Sequence, residues 1–147
     1  MPRCYILYVE DDDSAFALFQ MVLEETDPSV QLCRASDGDQ ALALLQNSVA
    51  DEQITRPDLI LLDINLPGKN GFEILRILKR TESLRSIPVI MFTTSADRND
   101  RDNSLALGAH EFVTKPPTLD RLVEFVKAFT RLPYGPSEAA GPQAAGQ

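Results

Sequence analysis

The chain has 147 residues, a formal net charge of −8 and a sequence pI of about 4.6. This length is typical of one domain whose core is large enough to fold without metal or disulfide cross-links. The negative charge argues against nucleic acid as a partner, because it would repel the phosphates. No apolar run reaches the roughly 18 residues that a membrane-spanning helix requires, so no membrane association is expected.

The cysteine and histidine content excludes further classes of protein. Cys4 and Cys33 form neither a disulfide framework nor a CxxC metal motif, which favours a reducing, cytoplasmic location. The single histidine, His110, has no G-x-S-x-G nucleophile motif to accompany it, which argues against a serine hydrolase. The N-terminal apolar run is only six residues long, too short for a secretory signal.

Apolar runs alternate with helical spacings five times along the chain. Continuous apolar or β-rich runs predict strands at 4–9, 30–35, 58–62, 89–93 and 111–114. Helical spacing predicts helices at 14–25, 40–46, from 71 onward, 96–107 and 118–132. Strands that alternate with helices pair in parallel through right-handed crossovers, so we predict one doubly wound α/β domain.

Local patterns predict where two of the helices begin and end. Asn70 and Glu73 have the spacing of a capping box at the start of the third helix. Gly108 is placed to end the fourth helix. On the last helix, one face is apolar and is predicted to pack on the sheet, with Leu119, Leu122, Val123 and Val126.

Two segments do not fit the alternation of strands and helices. Residues 47–57 are polar and longer than most helix-to-strand connections, which predicts an exposed insertion. Residues 133–147 contain no Val, Ile or Leu and are rich in Pro, Gly and Ala. We therefore divide the chain into a domain at 1–132 and a tail at 133–147.

Polar side chains stand at the carboxyl ends of four predicted strands. They are Glu10, Asp11, Asp12 and Asp13 after the first, Asp63 after the third, Thr93 at the end of the fourth and Lys115 after the fifth. Singly, each has an ordinary explanation as a helix cap, a turn residue or a surface charge. Because parallel strands end at one edge of a sheet, where ligands bind, the four ends together predict a shared site.

The chemistry of this set points to phosphoryl transfer. Carboxylates such as Glu10, Asp11 and Asp63 repel each other by roughly 4 kcal/mol per pair at 4 Å and an effective dielectric near 20. A hard cation such as Mg²⁺ relieves that repulsion through oxygen ligands. Lys115 and Thr93 would then neutralise and hydrogen-bond phosphate oxygens, with Asp63 as the nucleophile that forms an acyl phosphate.

Four motifs together resemble the receiver domains of bacterial response regulators. They occur in the family's order and are YILYVEDD at 5–12, LILLDINLPGKNGFEIL at 59–75, PVIMFTT at 88–94 and FVTKP at 112–116. With the segments between them, they cover nearly all of residues 4–132. The resemblance implies a flavodoxin-like receiver fold, an α/β sheet of five parallel strands in the order 2-1-3-4-5 with five helices.

The resemblance also implies a ligand set and a phosphorylated residue. Asp63 matches the phosphorylated aspartate of the family. Glu10 and Asp11 match its acidic pair, with Asp11 as a direct ligand of Mg²⁺ or Mn²⁺. Asn65 matches the position whose backbone carbonyl coordinates the metal.

The remaining matches concern the conformational switch. Thr93 matches the switch hydroxyl and Lys115 the family's lysine. Phe112 stands at the position of the rotating aromatic residue and lacks a hydroxyl, so its ring packing alone would transmit the signal. The family's cis peptide bond is expected between Lys115 and Pro116.

By resemblance, this chain accepts a phosphoryl group from a sensor histidine kinase and is not an enzyme beyond its own phosphotransfer and dephosphorylation. Its output is expected to be a protein contact or a homodimer through the fourth helix, fifth strand and fifth helix. The charged residues of the fourth helix suit paired contacts across a dimer, and simple solvation of these charges is the alternative. Phe125 lies off the apolar stripe of the last helix, so a partner contact is expected for it.

At the level of subfamily, several readings stay open. The chain resembles stand-alone regulators of bacterial phytochrome kinases in four features, which are the insertion, the motif LLDINLP, the Thr93–Ser95 run and the absence of an output domain. Other single-domain receivers share such features. A phosphorelay intermediate is an alternative role. A flavin-binding module is disfavoured because the acids after the first strand would repel the phosphate of the flavin. A phosphomonoester hydrolase is disfavoured because Asn65 occupies the position where a second Asp is expected. The intact pocket disfavours an adaptor that has lost phosphorylation.

Overall fold

The computed structural model describes residues 4–130, which form a parallel β-sheet with helices on both faces. Its strands are β1 (Cys4–Val9), β2 (Val30–Ala35), β3 (Leu59–Leu62), β4 (Val89–Thr93) and β5 (Glu111–Thr114). Its helices are α1 (Asp13–Thr26), α2 (Gly38–Ala50), α3 (Gly71–Arg80), α4 (Arg98–Ala106) and α5 (Leu119–Phe129). The strand order β2-β1-β3-β4-β5 confirms the predicted fold.

The alternation of side chains along the buried strands creates two cores. Leu7 and Val9 of β1 point to the face that α2 and α3 cover, whereas Ile6 and Tyr8 point to the face that α1 and α5 cover. Every residue of β3 and β4 is buried, as expected for central strands of a sheet that is covered on both sides.

The predicted helix termini are present. Asn70 and Glu73 form a full capping box at the start of α3, each side chain bonded to the backbone of the other. Gly108 follows α4 with a φ of 105°, a left-handed conformation that glycine adopts without strain. Asp12 caps α1 by accepting hydrogen bonds from the amides of Ser14 and Ala15.

The prediction for residues 47–57 was partly wrong. Helix α2 continues to Ala50, so the first four of those residues are helical. Ala41, Leu45 and Ser48 lie on one buried face, and the Ser48 hydroxyl donates to the Leu45 carbonyl at 2.6 Å. The helical spacing therefore continues past Gln46 through a serine that the apolar pattern did not count.

Two expectations for the last helix were also wrong. Phe125 stacks on Phe92 and Phe129, with ring centres 5.2 Å and 5.4 Å away, so it extends the core and does not lie off the apolar stripe. The partner contact expected for it stays a prediction. Leu119, which was predicted to pack on the sheet, is 50% exposed at the first position of α5. The tail at 133–147 and the final residues of the predicted helix lie outside the described residues. Within residues 4–130, no helix combines the length and apolar character needed to cross a membrane.

Candidate functional site

The site lies between β1 and β3 at the carboxyl edge of the sheet, where successive strands change from one side of β1 to the other. Val9 pairs with Leu62, and the Asp63 amide donates to the Val9 carbonyl at 3.3 Å. Glu10 and Asp63 therefore leave neighbouring strands side by side. A topological switch point of this kind opens a crevice in which doubly wound sheets bind ligands.

Lys115 reaches these two carboxylates from the end of β5, two strands away from β3 at the same edge of the sheet. Its Nζ donates to Glu10 Oε1 and, at 3.0 Å, to Asp63 Oδ2. The Lys115 amide donates to the Thr93 carbonyl at 2.6 Å, which fixes where the lysine leaves β5. Glu10 and Asp63 are buried, with 2% and 8% of their side chains exposed, and Lys115 is partly buried, with 15% exposed.

The pKa of Lys115 reflects two opposing influences. Burial lowers it, but the hydrogen bond to Glu10 and the charge and hydrogen bond of Asp63 together outweigh burial. The pKa therefore lies above the usual value for lysine, and the ammonium group is charged at neutral pH. A charged donor remains at the site to pair with anionic oxygens.

Glu10 is almost completely buried and uses both carboxylate oxygens. Tyr8 donates its hydroxyl to Oε1 at 3.2 Å, and the Asp12 amide donates to Oε2 at 3.1 Å. Burial and the negative charge of Glu10 raise the pKa of Tyr8, so its hydroxyl stays protonated and donates. With Lys115, Glu10 therefore has three donors, which orient it and leave it little freedom to bind an ion directly.

Asp63 is held less completely. Its Oδ1 accepts the Asn65 amide at 3.2 Å, and Oδ2 accepts Lys115. The backbone of Asp63 packs against the start of α3, where a Cβ on Gly71 would collide with the Asp63 carbonyl and lie 2.8 Å from Ile64 Cα. Gly71 thus lets α3 approach the loop that presents Asp63.

The acidic run after β1 divides into separate roles. Asp12 caps α1, whereas Asp13 forms an ion pair with Arg34 at 2.7 Å. Asp11 is exposed and forms no hydrogen bond or ion pair with residues 4–130. Asp11 is therefore the carboxylate of the run that is available to a ligand.

We tested whether these residues suit a divalent cation. Within residues 4–130, no three His, Cys, Asp or Glu side chains are grouped closely enough to hold a metal by themselves. Mg²⁺ needs less than that, because it retains several waters and often uses one or two carboxylates. The carboxylates of Asp11 and Asp63 with the Asn65 carbonyl supply hard oxygen ligands of this kind.

The charge at the site agrees with such an ion. Glu10, Asp11 and Asp63 bring three negative charges, and Lys115 brings one positive charge. The two negative charges that remain equal the charge of one divalent cation. The residues present therefore fit the group.

Thr93 lies at the same edge but is engaged elsewhere. It is fully buried, and its hydroxyl accepts the Ser95 amide at 3.3 Å. Ser95 in turn donates its hydroxyl to Asp100 at 2.6 Å, and its carbonyl accepts the Thr114 hydroxyl at 2.8 Å. These bonds connect Thr93 to both α4 and β5.

Phe112 is 8% exposed, so its ring already packs into the core on the α2 and α3 side. It borders a cleft of about 510 Å³ between β5 and the start of α4, where Arg98 and Arg101 also lie. The expectation of a cis peptide bond between Lys115 and Pro116 was wrong, because the described residues contain no cis peptide. Trans is the favoured isomer of such bonds.

Sequence reasoning missed Tyr8 and Arg34. It considered residues that follow each strand, whereas these two lie inside β1 and β2, each one residue before the end of its strand. A charged residue next to the last position of a predicted strand is the feature that would have identified Arg34.

The fold and this edge of the sheet define a receiver domain, a signalling module that accepts phosphoryl groups. The response regulator receiver domain family matches residues 6–127, and the chain belongs to that family.

Similar proteins include single-domain regulators. The chain is 38% identical over 126 residues to the response regulator Rcp1 of Synechocystis sp., with 86% of each chain covered. Its structure matches that of the phosphorylated cyanobacterial phytochrome response regulator RcpA with a TM-score of 0.79 and 33% identity, covering 88% of this chain and 92% of that one.

Two further matches bear on metal and on length. The Mn²⁺-bound form of Rcp1 matches with a TM-score of 0.78 and 36% identity, over 88% of this chain and 93% of that chain. The phosphate regulon regulator PhoB of Klebsiella pneumoniae is 37% identical over 86% of this chain, which spans only 51% of that protein.

Proposed function

We propose that Asp63 accepts a phosphoryl group from the phosphohistidine of a sensor kinase, with Mg²⁺ held by Asp11, Asp63 and the Asn65 carbonyl. The observation that best supports this proposal is the Lys115 ammonium group shared between Glu10 and Asp63 at the strand ends. A lysine that is bonded to the acceptor carboxylate is already in place to pair with the oxygens of the phosphoryl group that the carboxylate accepts.

The chemical step follows from these positions. An Asp63 carboxylate oxygen attacks phosphorus, the new O–P bond forms, and the P–N bond to the donor imidazole breaks with its electron pair on nitrogen, which takes up a proton from solvent. When bound, the cation offsets the negative charge of the carboxylate and phosphoryl oxygens. Lys115 pairs with a second phosphoryl oxygen, and Thr93 is placed to bond a third after releasing the Ser95 amide.

The choice of cation rests on the ligands and on a relative. Oxygen ligands alone favour Mg²⁺ or Mn²⁺ over softer metals. A solved structure of the relative Rcp1 is a Mn²⁺-bound form. We assign Mg²⁺ as the ordinary ion and expect Mn²⁺ to substitute for it.

Incubation of the wild-type protein with acetyl phosphate tests this function. We expect an intact mass increase of one phosphoryl group that requires Mg²⁺ or Mn²⁺ and disappears when the cation is chelated. Borohydride reduction of the product, followed by peptide mass spectrometry, is expected to convert Asp63 to homoserine. Modification of a different carboxylate, or labelling that persists with the cation chelated, would contradict the assignment.

We propose a bacterial phytochrome kinase as the phosphoryl donor. The support is the similarity to RcpA, whose structure is described as that of a phytochrome response regulator. A purified, autophosphorylated bacteriophytochrome is expected to transfer its phosphoryl group to this protein completely. In the same time, an unrelated sensor kinase should transfer little. Equal transfer from both kinases would contradict this donor, and onward transfer to a histidine phosphotransfer protein would support a phosphorelay intermediate.

We propose that the output is a homodimer through α4, β5 and α5. Only Ser104 of α4 is buried, and Arg98, Arg101 and Asp102 are exposed, so oppositely charged residues are available for contacts between copies. Movement of Thr93 toward the phosphate would break its bond to Ser95 and alter the packing beside Phe112. The Ser95 bonds to Asp100 and Thr114 would pass that change to this face.

Sedimentation velocity at several concentrations, with and without beryllofluoride and Mg²⁺, tests the dimer. Beryllofluoride is expected to strengthen self-association about tenfold, and Arg101→Asp is expected to remove that gain by opposing the complementary charges. Arg80→Asp, at the far end of α3, is the matched control and should dimerise normally. A monomer that beryllofluoride leaves unchanged would contradict the dimer and favour simple solvation of the α4 charges.

We also propose that the chain performs no turnover of an external substrate and works in the cytoplasm. A hydrolase of phosphate monoesters would need a second carboxylate to protonate the leaving group, and Asn65 occupies that position. Cys33 is a free thiol, which is consistent with a reducing compartment.

A further inference from the structure

Arg34 contacts the acidic loop from the neighbouring strand. It lies next to the end of β2, in register with Tyr8 of β1. Its Nε donates to the Glu10 carbonyl at 2.9 Å, and the guanidinium carbon lies 5.3 Å from the centre of the Phe16 ring. A second nitrogen pairs with Asp13 at 2.7 Å. One planar side chain thus binds both ends of the loop at 10–13 and rests on α1.

These contacts differ in strength. Asp13 is 92% exposed, so its ion pair with Arg34 is screened by water and worth little. The bond to the Glu10 carbonyl is partly buried and comes from a charged donor, which makes it the stronger contact. The amide of the same residue, Glu10, donates to the Ala35 carbonyl at 3.0 Å. Glu10, the residue before Asp11, is therefore held at both its carbonyl and its amide.

We infer that Arg34 is a positioning residue for the divalent cation: it holds the backbone carbonyl directly before Asp11, and more weakly the Asp13 carboxylate after it, so that the Asp11 carboxylate is oriented before the ion arrives. Asp11 itself has no bonding partner among residues 4–130 that could orient it. Orientation must then come from the backbone, to which Arg34 contributes the charged hydrogen bond at the Glu10 carbonyl. This inference rests on the proposed function, in which Asp11 is a metal ligand.

The direction in which loss of Arg34 changes Mg²⁺ affinity distinguishes a positioning role from an effect of its charge. Arg34 is a cation near a cation site, so by Coulomb repulsion alone its removal would strengthen Mg²⁺ binding. Loss of positioning has the opposite effect, because a mobile loop must be ordered when the ion binds. Residues that orient metal ligands typically contribute 10- to 100-fold to affinity. We expect the lower part of that range, because a single carboxylate is oriented through the backbone.

Calorimetric titration with MgCl₂ tests the inference on the full-length, unphosphorylated protein. We expect Arg34→Met to bind Mg²⁺ about tenfold more weakly than wild type. Arg34→Lys keeps the charge but cannot reach both Glu10 and Asp13, so it should also weaken binding, by about threefold. Arg80→Met, at the distant end of α3, should leave the affinity unchanged. Thermal unfolding without Mg²⁺ establishes that each variant is folded at the titration temperature.

The outcomes distinguish this inference from the proposed function. Unchanged or tighter Mg²⁺ binding by Arg34→Met would overturn the positioning role and show that its charge dominates. If Arg34→Met does not fold, Arg34→Lys decides, since binding equal to wild type would overturn the inference. If Asp11→Asn binds Mg²⁺ as tightly as wild type, the proposed metal site fails and this inference fails with it.

Discussion

The Asp63→Asn variant is expected to form no detectable acyl phosphate from acetyl phosphate in the presence of Mg²⁺. Asparagine keeps the size and shape of the side chain, but a neutral amide is not a nucleophile toward phosphorus. It also removes one of the negative charges that attract the cation. The measurement is the fraction of protein that gains one phosphoryl group by intact mass, at a time when the wild type has reached its plateau.

The Asp63→Asn variant should remain folded. The attraction to Lys115 that it loses is offset by relief of the repulsion from Glu10 and Asp11, so we expect a free energy of unfolding within about 1 kcal/mol of wild type. Asp102→Asn makes the same chemical change on the exposed face of α4 and should label like wild type. Equal labelling of Asp63→Asn and wild type would show that another residue is the acceptor.

The strand ends explain why much of this molecule was predictable. Buried parallel strands appear in the sequence as continuous apolar runs, and the polar residue that follows each run marks the edge of the sheet. This rule located Glu10, Asp63 and Lys115, whose direct contacts join positions separated by 52 and 105 residues. Their contact follows from strand order, which periodicity alone does not determine and the family resemblance implied.

Other features depend on distances that a sequence pattern does not contain. The length of α2 depends on Ser48, whose hydroxyl bonds to its own helix and lets a polar residue be buried. Phe125 appeared to lie outside the apolar stripe, but the Phe92 and Phe129 rings extend far enough to stack on it. Arg34 reaches the loop at 10–13 only because β2 is the neighbour of β1 in the sheet.

Composition and spacing did not separate the roles of the four consecutive acids, although the family resemblance implied that Asp11 is the direct metal ligand. Each is a carboxylate at the start of a helix, and all four suit a cap, an ion pair or a metal equally well. The structure separates them by burial and partner: Glu10 is enclosed by donors, Asp12 caps α1, and Asp13 pairs with Arg34. By elimination, Asp11 remains as the carboxylate that we propose binds the cation, and this step required the contacts of the other three acids.

Replacement of Lys115 by methionine is expected to lower the free energy of unfolding by about 3 kcal/mol, measured by urea denaturation with the divalent cation chelated. Methionine fills similar space, but it leaves the Glu10 and Asp63 carboxylates buried without their shared counter-charge. Breaking a buried ion pair from one side costs about 3–5 kcal/mol, and the partial exposure of Lys115 places the effect at the low end.

The same variant should accept a phosphoryl group from acetyl phosphate about 100-fold more slowly, as when one donor to a developing anion is removed. The difference in free energy of unfolding between the wild type and Lys115→Met should be equal at pH 7 and pH 9. The raised pKa of Lys115 means that its contribution is fully present below 10.5, the ordinary value for lysine, and is lost only as the pH rises through the folded-state pKa.

Two comparisons separate the missing charge from a packing defect. Lys69→Met removes an exposed lysine whose partner Asp39 is also exposed, so it should lower the free energy of unfolding far less than Lys115→Met does. Adding Glu10→Gln to Lys115→Met removes one of the two carboxylate charges left without a counter-charge, and it is expected to restore about half of the lost stability. If Glu10→Gln instead destabilises the Lys115→Met protein as much as it does the wild type, the two side chains are not coupled. The stability of this edge would then not depend on the shared charge that the geometry assigns to it.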